Sequence, residues 1–162
     1  MPYDLRAEFE RQGVLSEGSG WRETKLNDSF ELCPTYPRTI IVPSTCSDED
    51  VKEVAEFRSK RRLPALSWLH PKTRAAIVRC AQPLVGVMGR KSEADERLFK
   101  FIAQANPVSQ SVAMIDARPY INALVNRGRA GGFEDMSRYD ESEASLVFLN
   151  IENIHDMRQS IR

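Results

Sequence analysis

The sequence predicts an α/β domain of three layers, with a mixed central sheet and flanking helices. Three observations predict it. Short apolar runs of strand length, at 39–42, 63–69, 75–81, 111–115 and 146–149, alternate with stretches of helical periodicity. Most of those runs are unbroken by polar residues, the pattern of strands covered on both faces. The chain has 162 residues, 41% of them apolar and 28% charged. That is enough for one domain, or part of one, with a real core.

Each element has its own local reason. Residues 4–14 carry Leu5, Phe9 and Val14 near helical spacing, and Gly13 is a natural stop. A Gly/Ser loop (16–20) leads to a short edge strand at 21–26. Pro34 and Pro37 confine the next strand to Thr39–Val42. Ser47 and Asp50 form a capping-box signature for a helix reaching Phe57, with Val51, Val54 and Ala55 on its apolar face. Leu63–Leu69 and Ala75–Ala81 read as paired strands around a turn at His70–Thr73, and alternation places Trp68 among the buried residues. Ser92 and Asp95 repeat the capping signature, and Leu98, Phe99 and Ile102 face inward. After the strand at 111–115, Pro119 suits the first turn of a helix over Tyr120–Arg127, with Ile121, Leu124 and Val125 inward and Asn122 and Asn126 on its polar face. Gly128, Gly131 and Gly132 end it, and an acidic loop follows from Phe133 to Glu143. A buried strand at Leu146–Leu149 precedes a helix over 154–161 capped by Asn153. That helix still runs at Arg162, as expected for a piece of a longer domain.

Charge is balanced in total, 23 basic against 23 acidic residues, but segregated. From Phe57 to Lys91 there are nine Lys or Arg and no acid, which leaves 14 basic against 23 acidic elsewhere. Overall neutrality argues against a general nucleic-acid binder but not against a local basic patch. Arg58, Lys60, Arg61 and Arg62 admit two functional readings, an anionic lipid surface or nucleic acid, beside that of a solvated helix end. Three cysteines (Cys33, Cys46, Cys80) and two histidines (His70, His155) show no metal spacing, so neither a metal nor a cofactor is expected. No signal peptide opens the chain and no apolar run approaches the roughly 20 residues of a membrane span.

Four blocks carry a family likeness: FRSKRRLPALSWLHP, RCAQPLVG, DARP at 116–119 and NIHDMRQS at 153–160. In this order they resemble the N-terminal half of the myotubularin phosphatase domain, and the likeness runs from about Tyr3 to Arg162. It implies a phosphatase-like fold, here a partial domain over 3–162, ending before the family's C-x5-R loop. It also implies removal of the 3-phosphate from phosphatidylinositol 3-phosphate and 3,5-bisphosphate. A loop thiolate attacks phosphorus, backbone amides and the Arg hold the oxygens, and an Asp is the general acid. The sixth residue after Cys33 is Thr39, after Cys46 Lys52 and after Cys80 Gly86. No catalytic residue is therefore assigned, and the chain alone is expected to be inactive. A non-catalytic adaptor, binding lipid or an active partner, is the alternative.

The resemblance implies a substrate-binding role for Asn126, Asn153 and Ile154. Asn153 and Ile154 stand at a helix N-terminus, where unpaired N–H groups favour phosphate. The competing structural reading makes Asn153 a helix cap and Asn126 a solvated amide near a helix end. Asp116 and Arg118 read more simply as a strand-end ion pair than as catalytic groups, and His155 as a packing or hydrogen-bonding residue. The implied partners are a phosphoinositide headgroup at a membrane surface and a homo- or heterodimer within the family, not nucleic acid. The implied location is cytoplasmic, peripheral to endosomal or other membranes.

Overall fold

A computed structural model describes residues 4–153 together with 155, 158 and 159. The helix expected over 154–161 falls mostly outside them. The rest is a mixed α/β structure of four helices and three two-stranded sheets, which divides into two compact units. The first comprises residues 1–81 and 92–111, the second 82–91 and 112–162.

In the first unit, helix α1 (Leu5–Arg11) begins where the Asp4 carboxylate accepts from the Ala7 N–H, and Gly13 leaves it with φ 68°. Strand β1 (Trp21–Thr24) pairs antiparallel with β2 (Ile40–Pro43), all four of whose residues are buried. The proline-containing loop between them is ordered by buried Asn27. Its amide donates to the carbonyls of Cys33 (3.2 Å) and Pro37 (2.8 Å), and its oxygen accepts from the Cys33 N–H (2.8 Å). These bonds satisfy backbone groups that no sheet could reach.

Both capping serines do what their spacing predicts. Ser47 accepts from the Asp50 N–H at the start of α2 (Asp48–Phe57), and Ser92 from the Asp95 N–H at the start of α3 (Glu93–Gln104). Val51, Val54, Ala55 and Phe57 of α2 and Leu98, Phe99 and Ile102 of α3 are buried, with α2 and α3 in contact. The Asp95 carboxylate instead turns to Arg58, which is 1% exposed. Arg58 Nε and Nη2 donate to its two oxygens at 2.7 and 2.5 Å, and Nη1 reaches the Ala81 carbonyl at 3.1 Å. The guanidinium also lies 5.2 Å from the Phe99 ring centroid. A buried arginine of this kind requires full pairing, which the bidentate carboxylate supplies.

Strands β3 (Ala65–Leu69) and β4 (Ala76–Arg79) form the expected hairpin, but not one covered on both faces. The register shifts between Leu66 and Trp68, so that Leu66 and Leu69 both face inward and Trp68 turns out. Trp68 is 37% exposed, edge-on to His70 at 5.5 Å, and Ile77 on β4 is also exposed.

In the second unit, β5 (Val112–Asp116) and β6 (Ala144–Phe148) pair in parallel. Helix α4 spans Tyr120–Arg127, the predicted range, but only Ala123 is buried. Ile121, Leu124 and Val125, expected inward, are exposed, as are Ile115 and Val147. The apolar stripe at i, i+3 and i+4 is real, but within the described residues it has no layer against it. No helix among the described residues is long and apolar enough to cross a membrane.

Candidate functional site

Asp116, Arg118 and the segment that leads to Asn153 lie at the C-terminal ends of β5 and β6. Ligands of parallel sheets bind at that edge because helices start there and strand carbonyls end there. Asp116 closes β5, and its carboxylate takes both the Arg118 N–H (3.0 Å) and the Arg118 guanidinium (Nε 2.9 Å, Nη2 2.6 Å). The same guanidinium donates to Gln82 Oε1 (2.5 Å) and to the Gly132 carbonyl (2.9 Å). Arg118 therefore ties the strand end, the glycine loop and the segment from Gln82 into one network. Its donors are committed to protein acceptors, which supports the structural reading of this pair.

Small residues are needed where these segments meet. A Cβ on Gly131 would lie 2.7 Å from Gln82 Nε2, and one on Gly132 3.1 Å from Val85 Cβ. Tyr120, Phe133 and Phe148 form a cluster with ring centroids 5.3–5.6 Å apart, and Arg127 stands over Phe133 at 5.5 Å. These aromatic contacts hold the start of α4 against the end of β6.

Asn126 lies in the last turn of α4 and is half-buried. Its backbone carbonyl accepts from Arg129 (3.0 Å) and Gly131 (2.9 Å). Its side-chain carboxamide makes no hydrogen bond among the described residues, so neither its donor nor its acceptor is occupied there. After β6 the chain continues beside the strand end, with Leu149 N–H on the Asp116 carbonyl and Ile151 N–H on that of Ala117, both at 2.8 Å. That pairing leads to exposed Asn153, whose Oδ1 accepts from the His155 N–H at 2.8 Å. The cap expected of Asn153 is present. Ile154 lies outside the described residues.

The basic run is not one surface. Arg58 is sealed in the core, whereas Lys60 and Arg61 are exposed and both adopt left-handed backbone (φ 56°). Arg62 donates to Thr35 Oγ1 at 2.8 Å. Sequence reasoning missed the burial of Arg58 because Asp95, 37 residues away, provides the compensating charge. No disulfide joins the three cysteines. Cys33 and Cys46 are buried, and burial pushes the Cys46 thiol up to about 11, far from a nucleophilic thiolate. Cys80 is exposed and accepts from Arg58 at 3.7 Å, but that guanidinium already has Asp95 as its counter-ion. Among the described residues, no cluster of His, Cys, Asp and Glu is placed to hold a metal ion.

Comparison with known proteins bears on what this surface is for. The model of the myotubularin-like phosphatase domain matches residues 1–162. The phosphatidylinositol-3,5-bisphosphate 3-phosphatase MTMR2 of Bos taurus is 47% identical over 160 residues, covering 99% of this chain and 24% of the relative. The Mus musculus protein of that name is 46% identical with the same coverage. Myotubularin of Xenopus laevis is 46% identical over 99% of this chain and 26% of its own length. The chain thus spans about a quarter of the length of these relatives.

Proposed function

The chain belongs to the myotubularin-like phosphatase family, and from that premise we propose that it forms one wall of a phosphoinositide headgroup pocket. In this reading it is the N-terminal portion of a phosphoinositide 3-phosphatase domain, and its sheets join a larger three-layer arrangement. Asn126 and Asn153, with Ile154 beside the latter, contact the phosphorylated inositol ring. The supporting observation is the Asn126 carboxamide, which is half-buried, without a partner among the described residues, and set in a stretch of sequence without acids. From Ala117 to Phe133 there is no Asp or Glu, while Arg118, Arg127 and Arg129 lie in that stretch. The net positive charge of that stretch favours an anionic ligand.

The division of chemistry follows from what the chain holds. A C-x5-R phosphatase attacks phosphorus with a thiolate cradled by loop amides and an Arg. None of the three cysteines here has Arg at the sixth following position. The chain therefore binds and orients, and the nucleophile belongs to the rest of the parent protein or, in an adaptor, to no part of it. Its working place is the cytoplasmic face of endosomal or other membranes, alone or dimerised with another family member.

Titration with soluble inositol 1,3-bisphosphate tests this reading. Asn126→Asp keeps the shape but puts a carboxylate against the phosphates, and is expected to weaken binding by about tenfold, a loss of roughly 1.4 kcal/mol. Asn153→Asp keeps an oxygen for the His155 N–H, so its loss of affinity would report repulsion rather than a lost cap. Unchanged affinity in both variants would remove the pocket assignment. The purified chain is expected to release no phosphate from phosphatidylinositol 3-phosphate.

A further inference from the structure

The loop Gly86–Lys91 in the second unit carries a feature that the pocket does not use. Its tip is Val87 and Met88, which are 77% and 87% exposed and among the most exposed large apolar residues described. Gly86 (φ 60°) and Gly89 (φ 64°) flank them in left-handed backbone, which turns the chain sharply on both sides. The loop is tied at its base, not loose. The Arg90 N–H donates to the Val85 carbonyl and the Gly86 N–H to the Gly131 carbonyl, both at 2.8 Å.

Scattered exposed apolar residues are ordinary. Two adjacent ones at the apex of a braced turn, with a basic rim, are a more specific pattern. Arg90 and Lys91 follow the tip directly, and Arg129 precedes Ala130, against which Gly86 packs. All three basic side chains are exposed and none is within ion-pair distance of an acid among the described residues, with Asp135 the carboxylate that feels Lys91. The loop and its brace come from two acid-free stretches, 57–91 and 117–133. Apolar groups that insert below a basic collar match a bilayer of anionic lipid, whose acyl chains take the tip and whose headgroups take the charges.

We propose that Gly86–Lys91 is a membrane-inserting loop, with Val87 and Met88 entering the acyl boundary of an anionic bilayer and Arg90, Lys91 and Arg129 holding its headgroups. The choice of a lipid occupant rests on the lipid reading above, but the contact needs no phosphoinositide. It accounts for part of the charge segregation that the Asn126 pocket leaves unexplained.

Sedimentation of the full chain with vesicles of phosphatidylcholine and phosphatidylserine, free of phosphoinositide, tests it. The wild type is expected to bind these vesicles and to bind pure phosphatidylcholine much more weakly. The double variant V87D/M88D should lose about tenfold or more in partitioning while its circular dichroism is unchanged, since both side chains are exposed. In M88W, bromine-labelled lipid should quench fluorescence beyond the quenching seen with Trp21 and Trp68 alone. Wild-type failure to bind, equal binding by V87D/M88D, or no added quenching in M88W would each overturn the proposal, including in favour of a protein partner for the tip. If binding instead requires phosphatidylinositol 3-phosphate and survives V87D/M88D, the pocket reading stands and the insertion falls. If insertion holds while Asn126→Asp leaves headgroup affinity unchanged, the reverse is true.

Discussion

The two units use their apolar residues in opposite ways. Among the described residues, the buried apolar ones of the second unit are Val85, Met114 and Ala123, and the rest belong to the first. Of the fourteen large exposed ones among the described residues, ten belong to the second unit: Val87, Met88, Ile115, Tyr120, Ile121, Leu124, Val125, Val147, Leu149 and Ile151. The first unit is a packed scaffold centred on α2, α3 and β2. The second has the right periodicity for burial but presents much of it outward. The difference teaches that amphipathic pattern and burial are separate facts: pattern belongs to the element, and burial needs a neighbouring layer.

The largest effect is expected where the first unit is most committed. Arg58→Ala leaves Asp95 charged and enclosed, and should cost about 3–5 kcal/mol in urea unfolding. The pair R58M/D95L should recover much of that loss, since well-packed apolar groups can replace a buried ion pair. A loss below 1 kcal/mol for Arg58→Ala would mean that the core tolerates an orphan charge, and the contrast between units would weaken. Next come packing residues. Leu98→Ala in the first unit should cost about 2–5 kcal/mol, and Leu124→Ala in the second well under 1. Equal costs would show that α4 is as well packed as α3.

Much of this was legible in the residues themselves, because it is local. Ser47 and Ser92 announced two helix starts, Pro119 and Gly128 bracketed α4, and His70–Thr73 marked the hairpin turn. What escaped depends on contacts distant in sequence or on a single irregularity. The bulge between Leu66 and Trp68 reverses the phase of β3, so alternation put Trp68 on the wrong face. Arg58 looked like a surface charge because Asp95 is on another helix, and Asp95 looked like a capping partner because its pull toward Arg58 leaves no local trace. At the site, the family blocks pointed to Asn126, but its lack of a side-chain partner among the described residues became visible only in the fold.

Smaller effects sharpen the comparison through titration. Glu8 is lowered to about 2 by hydrogen bonds from Arg11 and Gln12. Asp48 is lowered chiefly by Arg22 and Asp50 chiefly by Arg97. Their folded values lie below the unfolded ones, so the stability they add is complete above about pH 4.5 and is lost as pH falls through the folded values. On the alkaline side, burial raises Cys46 to about 11 and Tyr36 to about 12. Stability linked to them is intact below about pH 8.5 and falls as pH rises through those values. Denaturation midpoints across pH should show both limbs. Alkylation at neutral pH should modify exposed Cys80 first and spare Cys33 and Cys46 until unfolding.

The central claim is that the first unit is scaffold and the second carries the ligand surface. Amide and side-chain NMR shifts of the chain, titrated with inositol 1,3-bisphosphate, test it most directly. The expected result is saturable change at the Asn126 carboxamide and around Asn153, with the first unit silent. Shifts centred on Lys60–Arg62 with Asn126 unmoved, or no saturable shift at all, would contradict it.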